Sequence, residues 1–143
     1  MESGKTSPPL IGQSRVSDFT ELETWKHARI LRNELYRVVK AFPQEEKFGL
    51  AAQIRRAASS VTANLAEGYG RYSYQENMQF YRVSRGSLYE LRDHLTTALD
   101  AGYIPKARYE ELDAMAISAV RLVNGYIRAT KNLKASAKSD ATK

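Results

Sequence analysis

The chain has 143 residues, a formal net charge of +6 and no cysteine, with a sequence pI near 9.6. That size suits one domain with a core that needs no disulfide or metal to hold it, and the missing thiols exclude disulfide scaffolds, cysteine-ligated zinc, iron–sulfur clusters and thiol catalysis. No run approaches a membrane span, and Leu10-Ile11 is too short for a signal-peptide core, so a soluble, cytoplasmic protein with no membrane partner is expected.

Residues 1–17 hold Pro8, Pro9, Gly4, Gly12 and several serines and threonines, and read as a disordered N-terminal arm. The first predicted helix runs from about Thr20 to Ala41. Leu22, Trp25, Ala28, Leu31, Leu35, Val38 and Phe42 recur every three or four residues, so they share one face. Asp18 or Thr20 is the expected cap, and Pro43 ends the helix because the residue before proline avoids the α region.

Glu45 and Glu46 are expected to open a second helix reaching about Glu67, with a stripe of Leu50, Ile54, Ala57, Ala58, Val61 and Leu65. Its small side chains predict a close approach to a neighbouring helix. Gly68 is expected as its left-handed C-terminal residue. Ser73-Tyr74-Gln75-Glu76 is a capping box that starts a third helix, to about Ala101, with Met78, Tyr81, Ser84, Leu88, Leu91, Leu95 and Ala98 on its apolar face. Gly102 stops it. Pro105 suits the first turn of a fourth helix to about Lys134, striped by Tyr109, Leu112, Met115, Ala119, Leu122, Tyr126 and Leu133 and widened by Ala116, Val123 and Ile127.

No segment alternates with period two. Long helices on short connections predict an all-α, antiparallel up-down-up-down four-helix bundle over 18–134, followed by a basic flexible tail over 135–143.

Charge is uneven. Residues 121–143 carry a net +5, and residues 48–92 a net +3. Such a surface suits nucleic acid or another acidic partner, and equally a solvated exterior. Arg82, Arg85 and Arg92 share one flank of the third helix; a guanidinium band there fits phosphates, intramolecular carboxylates or a neighbouring subunit. Tyr69-Gly70-Arg71-Tyr72 sets aromatics beside a cation, an arrangement for stacking bases or packing against a second copy.

Catalytic patterns are missing. No Gly-x-Ser-x-Gly elbow or phosphate loop occurs, and Gly86-Ser87 inside a helical pattern points to close helix packing. The only histidines, His27 and His94, each follow a glutamate by four residues, whereas carboxylate-bridged bundle sites use Glu-x-x-His. No catalytic residue, metal or cofactor is expected.

Several segments together carry a family resemblance: Phe19-Thr20-Glu21-Leu22-Glu23-Thr24-Trp25-Lys26-His27-Ala28-Arg29, Phe42-Pro43, Gln53-Ile54-Arg55-Arg56-Ala57-Ala58, Asn64-Leu65-Ala66-Glu67-Gly68, and the run from Phe80 to Leu91. Over about residues 18–130 the chain resembles the four-helix-bundle protein family whose members include proteins encoded in intervening sequences of bacterial 23S rRNA genes. The resemblance implies a left-handed antiparallel bundle, assembly into a homopentamer, and no enzymatic activity. A related fold serves as the accessory protein of diversity-generating retroelements, where a basic pentameric barrel binds nucleic acid and the reverse transcriptase. Arg55, Arg56, Asn64, Glu67, Gly68, Arg85, Gly86, Ser87 and Glu90 match the family signature. Val61 and Leu65 stand where isoleucine is common and Ser84 where alanine is, and the sequence is closer to the rRNA-associated group.

The expectation is therefore a non-enzymatic homo-oligomer, a pentamer, that contacts RNA or DNA, or an RNA–protein complex. Its expected nucleic-acid or interface residues are Arg55, Arg56, Arg71, Arg82, Arg85, Arg92, Arg128, Lys131 and Lys134. Asn64, Glu67, Gly68, Gly86, Ser87 and Glu90 form the expected structural motif. The alternative is a protein–protein adaptor, such as the accessory subunit of a diversity-generating retroelement reverse transcriptase.

Overall fold

A computed structural model of the chain describes residues 17–141; the expected N-terminal arm lies almost entirely outside them. The described residues form four α-helices and no strand: α1 (Glu23–Val39), α2 (Leu50–Tyr69), α3 (Tyr74–Asp100) and α4 (Lys106–Ala141). A 3-10 turn precedes α1 (Phe19–Glu21), and another (Gln44–Glu46) precedes α2.

Cross-helix pairs fix the topology. Tyr36 meets Ser59 and Arg32 meets Thr62; Ser60 meets Ser87 and Arg56 meets Glu90; Arg92 meets Asp113 and Lys134 meets Gln75. In each couple one number rises as the other falls, so successive helices run antiparallel. Contacts between α1 and α4 close the bundle, while the diagonal pairs, α1 with α3 and α2 with α4, bring no Cα atoms within 8 Å of each other. The core is one cluster of interior faces from all the helices, as expected when an apolar stripe on each helix turns inward.

The ends of the helices differ from the sequence reading in instructive ways. Neither Asp18 nor Thr20 caps α1. The Thr20 hydroxyl bonds Asp18 Oδ2 at 2.6 Å instead, and α1 begins after Leu22. The α1 stripe is also centred slightly differently, with Val39 buried and Val38 only partly so.

Helix α2 begins at Leu50, not at Glu45. Glu46 instead caps it from outside, its Oε1 accepting the Leu50 amide at 3.0 Å while Oε2 accepts the Tyr103 hydroxyl at 2.8 Å. Those two bonds hold the Glu46 carboxyl below its ordinary pKa. A Cβ at Gly49 would lie 2.6 Å from Glu46 Oε1, so a side chain there would push the capping carboxylate aside.

Gly68 is not a left-handed terminus. It lies inside α2, buried against Tyr81, and the helix ends at Tyr69. The one positive φ among the described residues belongs to Gly102, at 79°. There Tyr103 N bonds Ala98 O at 2.9 Å and Gly102 N bonds Leu99 O at 3.0 Å, the paired closure of a Schellman end. Ser73 caps α3 as expected, accepting the Glu76 amide at 3.1 Å. Helix α4 continues past Lys134 to Ala141 with exposed Ala, Lys and Ser residues, where the sequence reading expected a flexible tail.

Candidate nucleic-acid interface

The small residues of α2 let α3 come close. Ala57, Ala58 and Val61 are almost fully buried, and the Ser84 hydroxyl donates to the Val61 carbonyl at 2.7 Å. Along the rim of this seam the signature residues meet. Ser60 Oγ and Ser87 Oγ are 2.8 Å apart, and Asn64 Nδ2 donates to the Ser60 carbonyl at 2.8 Å. Arg56 donates to Glu90 Oε2 at 2.7 Å, and His94 Nε2 lies 2.9 Å from the same oxygen. Burial pushes the Glu90 carboxyl up, but His94 and Arg56 outweigh it and hold it below the usual range. Arg56, Asn64, Ser87 and Glu90 are thus one polar ladder across α2 and α3. His94 joins it although the sequence reading left it aside, and among the described residues no metal-binding cluster of His, Asp or Glu forms.

Gly86 departs from expectation. It does not pack between helices: among the described residues a Cβ there would meet nothing within 4 Å. Ser87 alone fills the packing role given to both.

The α3–α4 seam gathers most of the remaining expected cations. Arg92 forks onto Asp113 at 2.8 and 3.4 Å, and that hydrogen bond raises its pKa. Arg85 donates to Asn124 Oδ1 at 2.7 Å, a neutral partner. Lys134 Nζ reaches Gln75 Oε1 at 2.6 Å, also neutral. No ion pair or side-chain hydrogen bond to another described residue satisfies Arg82, Arg121, Arg128 or Lys131. By helical spacing Arg121, Arg128 and Lys131 share the α4 face that bears Asn124. Between residues 114 and 139, α4 carries Arg121, Arg128, Lys131, Lys134 and Lys138 and no carboxylate.

The other expected arginines stand apart. Arg55 turns back to the Lys47 carbonyl at 3.0 Å. Arg71 lies 4.7 Å above the Phe80 ring and 3.6 Å from Glu67, beside the α2–α3 corner.

A second cationic surface was not among the expected sites. The α1–α2 groove is lined by Arg32, Asn33, Tyr36, Arg37, Lys40 and Ser59. The signal was present in the sequence, since residues 23–40 hold five Lys and Arg against two Glu. In the sequence the apolar stripe of α1 masks it.

Fold and surface together define a helical bundle with a basic exterior and polar ladders bracing its seams. A family profile described as 23S rRNA-intervening sequence protein matches residues 20–125. The chain belongs to that family. Among solved structures it is similar to a protein of unknown function from the S23 ribosomal protein family of Bacteroides thetaiotaomicron, with a TM-score of 0.69 and 19% identity over 73% of this chain and 95% of that one. That likeness shows the shared fold. Neither description names an enzymatic activity. No functionally curated protein matches the chain.

Proposed function

We propose that this protein is a non-catalytic, homo-oligomeric scaffold that binds RNA, alone or within an RNA–protein complex, through the α3–α4 seam. One observation carries the reading: the long acid-free stretch of α4 packs beside the helix that bears Arg82 and Arg85, and several of these cations have no partner among the described residues. Unpaired guanidinium and ammonium groups are suited to phosphate oxygens, and neutralising phosphates releases counterions. Binding is then steered by charge and depends strongly on salt. Titration of a labelled structured RNA at two salt concentrations tests it; no binding, or binding indifferent to salt, removes the proposal.

Self-association rests on the outer face of α3. Val83 is 48% and Tyr89 52% exposed, and they flank Gly86, where the surface is open. A helix-interior glycine forfeits about 1 kcal/mol against alanine, which intramolecular packing does not recover at this position. A second copy approaching this face would use it, and the assembly proposed is a ring of five, the state that the family resemblance implies. Light scattering of the native protein reads the stoichiometry; a monomer at all concentrations rejects it.

The same face favours one rival, a protein–protein adaptor of the kind that accompanies a reverse transcriptase. Substituting Val83 and Tyr89 with charged residues would then abolish capture of the protein partner and leave RNA affinity intact.

A further inference from the structure

The groove between α1 and α2 has a volume of about 530 Å3. A smaller pocket of about 190 Å3 adjoins it, lined in part by Lys40, Lys47 and Arg55, so that Lys40 belongs to both. Neither lining contains a carboxylate. Arg32 is half-buried, with Nε bonded to Asn33 Oδ1 at 3.2 Å and Nη1 to Thr62 Oγ1 at 3.3 Å. Both partners are neutral, so the guanidinium is partly desolvated with no counter-ion among the described residues, a costly state that an anion relieves.

Arg37 does touch Glu34, but Arg108 holds the same carboxylate. Arg108 also reaches Glu111 at 3.6 Å, so Arg37 is the guanidinium left with only a shared charge. Lys40 has no partner among the described residues. Tyr36 remains 39% exposed, and its hydroxyl, 2.7 Å from Ser59 Oγ, is fixed at the groove wall.

A single phosphate would occupy only one of the two pockets. Two neighbouring pockets that share a lysine fit successive phosphates of one strand. An aromatic face among those cations adds a platform for a base, the combination that sequence-tolerant single-strand binders use. We propose that this α1–α2 track binds a short single-stranded nucleic-acid segment, its phosphates on Arg32, Lys40 and Arg55 and one base against Tyr36. The track lies away from the α3–α4 seam and does not depend on it.

The test is fluorescence anisotropy of labelled hexauridylate on the full chain. A strand neutralised at about three phosphates gives a log–log salt slope near −2. R32Q/K40Q is expected to weaken binding about tenfold or more, and Y36L several-fold. The charge-matched variant K26Q/R29Q, on the same helix but outside the groove, is expected to leave binding unchanged. Circular dichroism melts check that each variant is folded. Independently of any variant, amide shifts caused by hexauridylate in the labelled wild-type protein should cluster in residues 32–59.

Lack of hexauridylate binding overturns the proposal. So do groove variants that bind as wild type, shifts centred on α4, or a hexaglutamate peptide competing as well as the oligonucleotide, which would assign the track to an acidic protein segment. Failure of the seam reading appears elsewhere, in the structured-RNA titration, and leaves this result standing.

Discussion

Gly68 lies directly beneath the ring of Tyr81: a Cβ on it would sit 2.8 Å from Tyr81 Cε1 and 3.0 Å from Phe80 Cβ. Tyr81 is itself 1% exposed and meets Tyr126 edge-on at 5.8 Å. The ring has nowhere to go, so the glycine sets how closely the ends of α2 and α3 approach. Asn77 locks the same corner by donating to the Gly68 and Arg71 carbonyls. G68A gains about 1 kcal/mol of helix propensity but overpacks a rigid contact. The expected result is a net loss of about 1–2 kcal/mol, read as a lower midpoint in urea at unchanged slope. A variant as stable as wild type would show that the ring can move.

Acid should destabilise the fold through a few identifiable carboxylates. Glu34, Glu46 and Glu90 all have pKa values below the ordinary 4.5. For Glu34 the cause is hydrogen bonding to Arg37 and Arg108. A depressed folded-state value means the unfolded chain binds protons first. The stabilisation is therefore complete above about 4.5 and fades as pH falls through the lower folded-state values. Melting temperature should hold from neutral pH down to about 5 and drop below 4.5. The triple variant E34Q/E46Q/E90Q should flatten that drop, and an unchanged acid limb would assign it to other groups.

Much of this architecture was legible in the residues, and the failures share a physical origin. Every helix was readable, because stripes such as Leu31 and Leu35, or Leu88, Leu91 and Leu95, show the 3.6-residue period and are buried. Boundaries set by local backbone chemistry, Ser73 and Gly102, were also readable. What failed were features that depend on a remote neighbour. Glu46 caps α2 in concert with Tyr103, 57 residues away, and Gly68 is explained by Tyr81 rather than by its own dihedrals. Arginines follow the same rule. Composition counts Arg85, Arg92 and Arg128 alike, yet Asp113 compensates one, Asn124 only orients another, and the third has no partner among the described residues. Net charge locates basic segments; only the facing helix decides which cations are available to a partner.

Salt dependence separates those classes. Arg128 and Lys131 lack partners among the described residues, whereas Arg92 is held by Asp113. If the seam binds phosphates, R128Q/K131Q should lower the salt slope for structured RNA by about 2, about one unit for each phosphate that is no longer neutralised. It should weaken binding across sequences rather than change preference, since phosphate recognition carries no base information. An unchanged slope would move the binding surface off α4.

Gly86 offers the opposite experiment to Gly68. No described residue occupies the space over its Cβ position, and alanine is the better helix former, so an isolated bundle should gain about 1 kcal/mol from G86A. If Val83, Gly86 and Tyr89 form the contact between copies, the added methyl intrudes where two helices must approach closely. The two effects then separate: chemical denaturation at high dilution shows a more stable bundle, while sedimentation at high concentration shows weaker assembly. A variant that is more stable and assembles as well as wild type would leave the glycine without a role on that face, and the surface joining the copies would have to be sought elsewhere on the bundle.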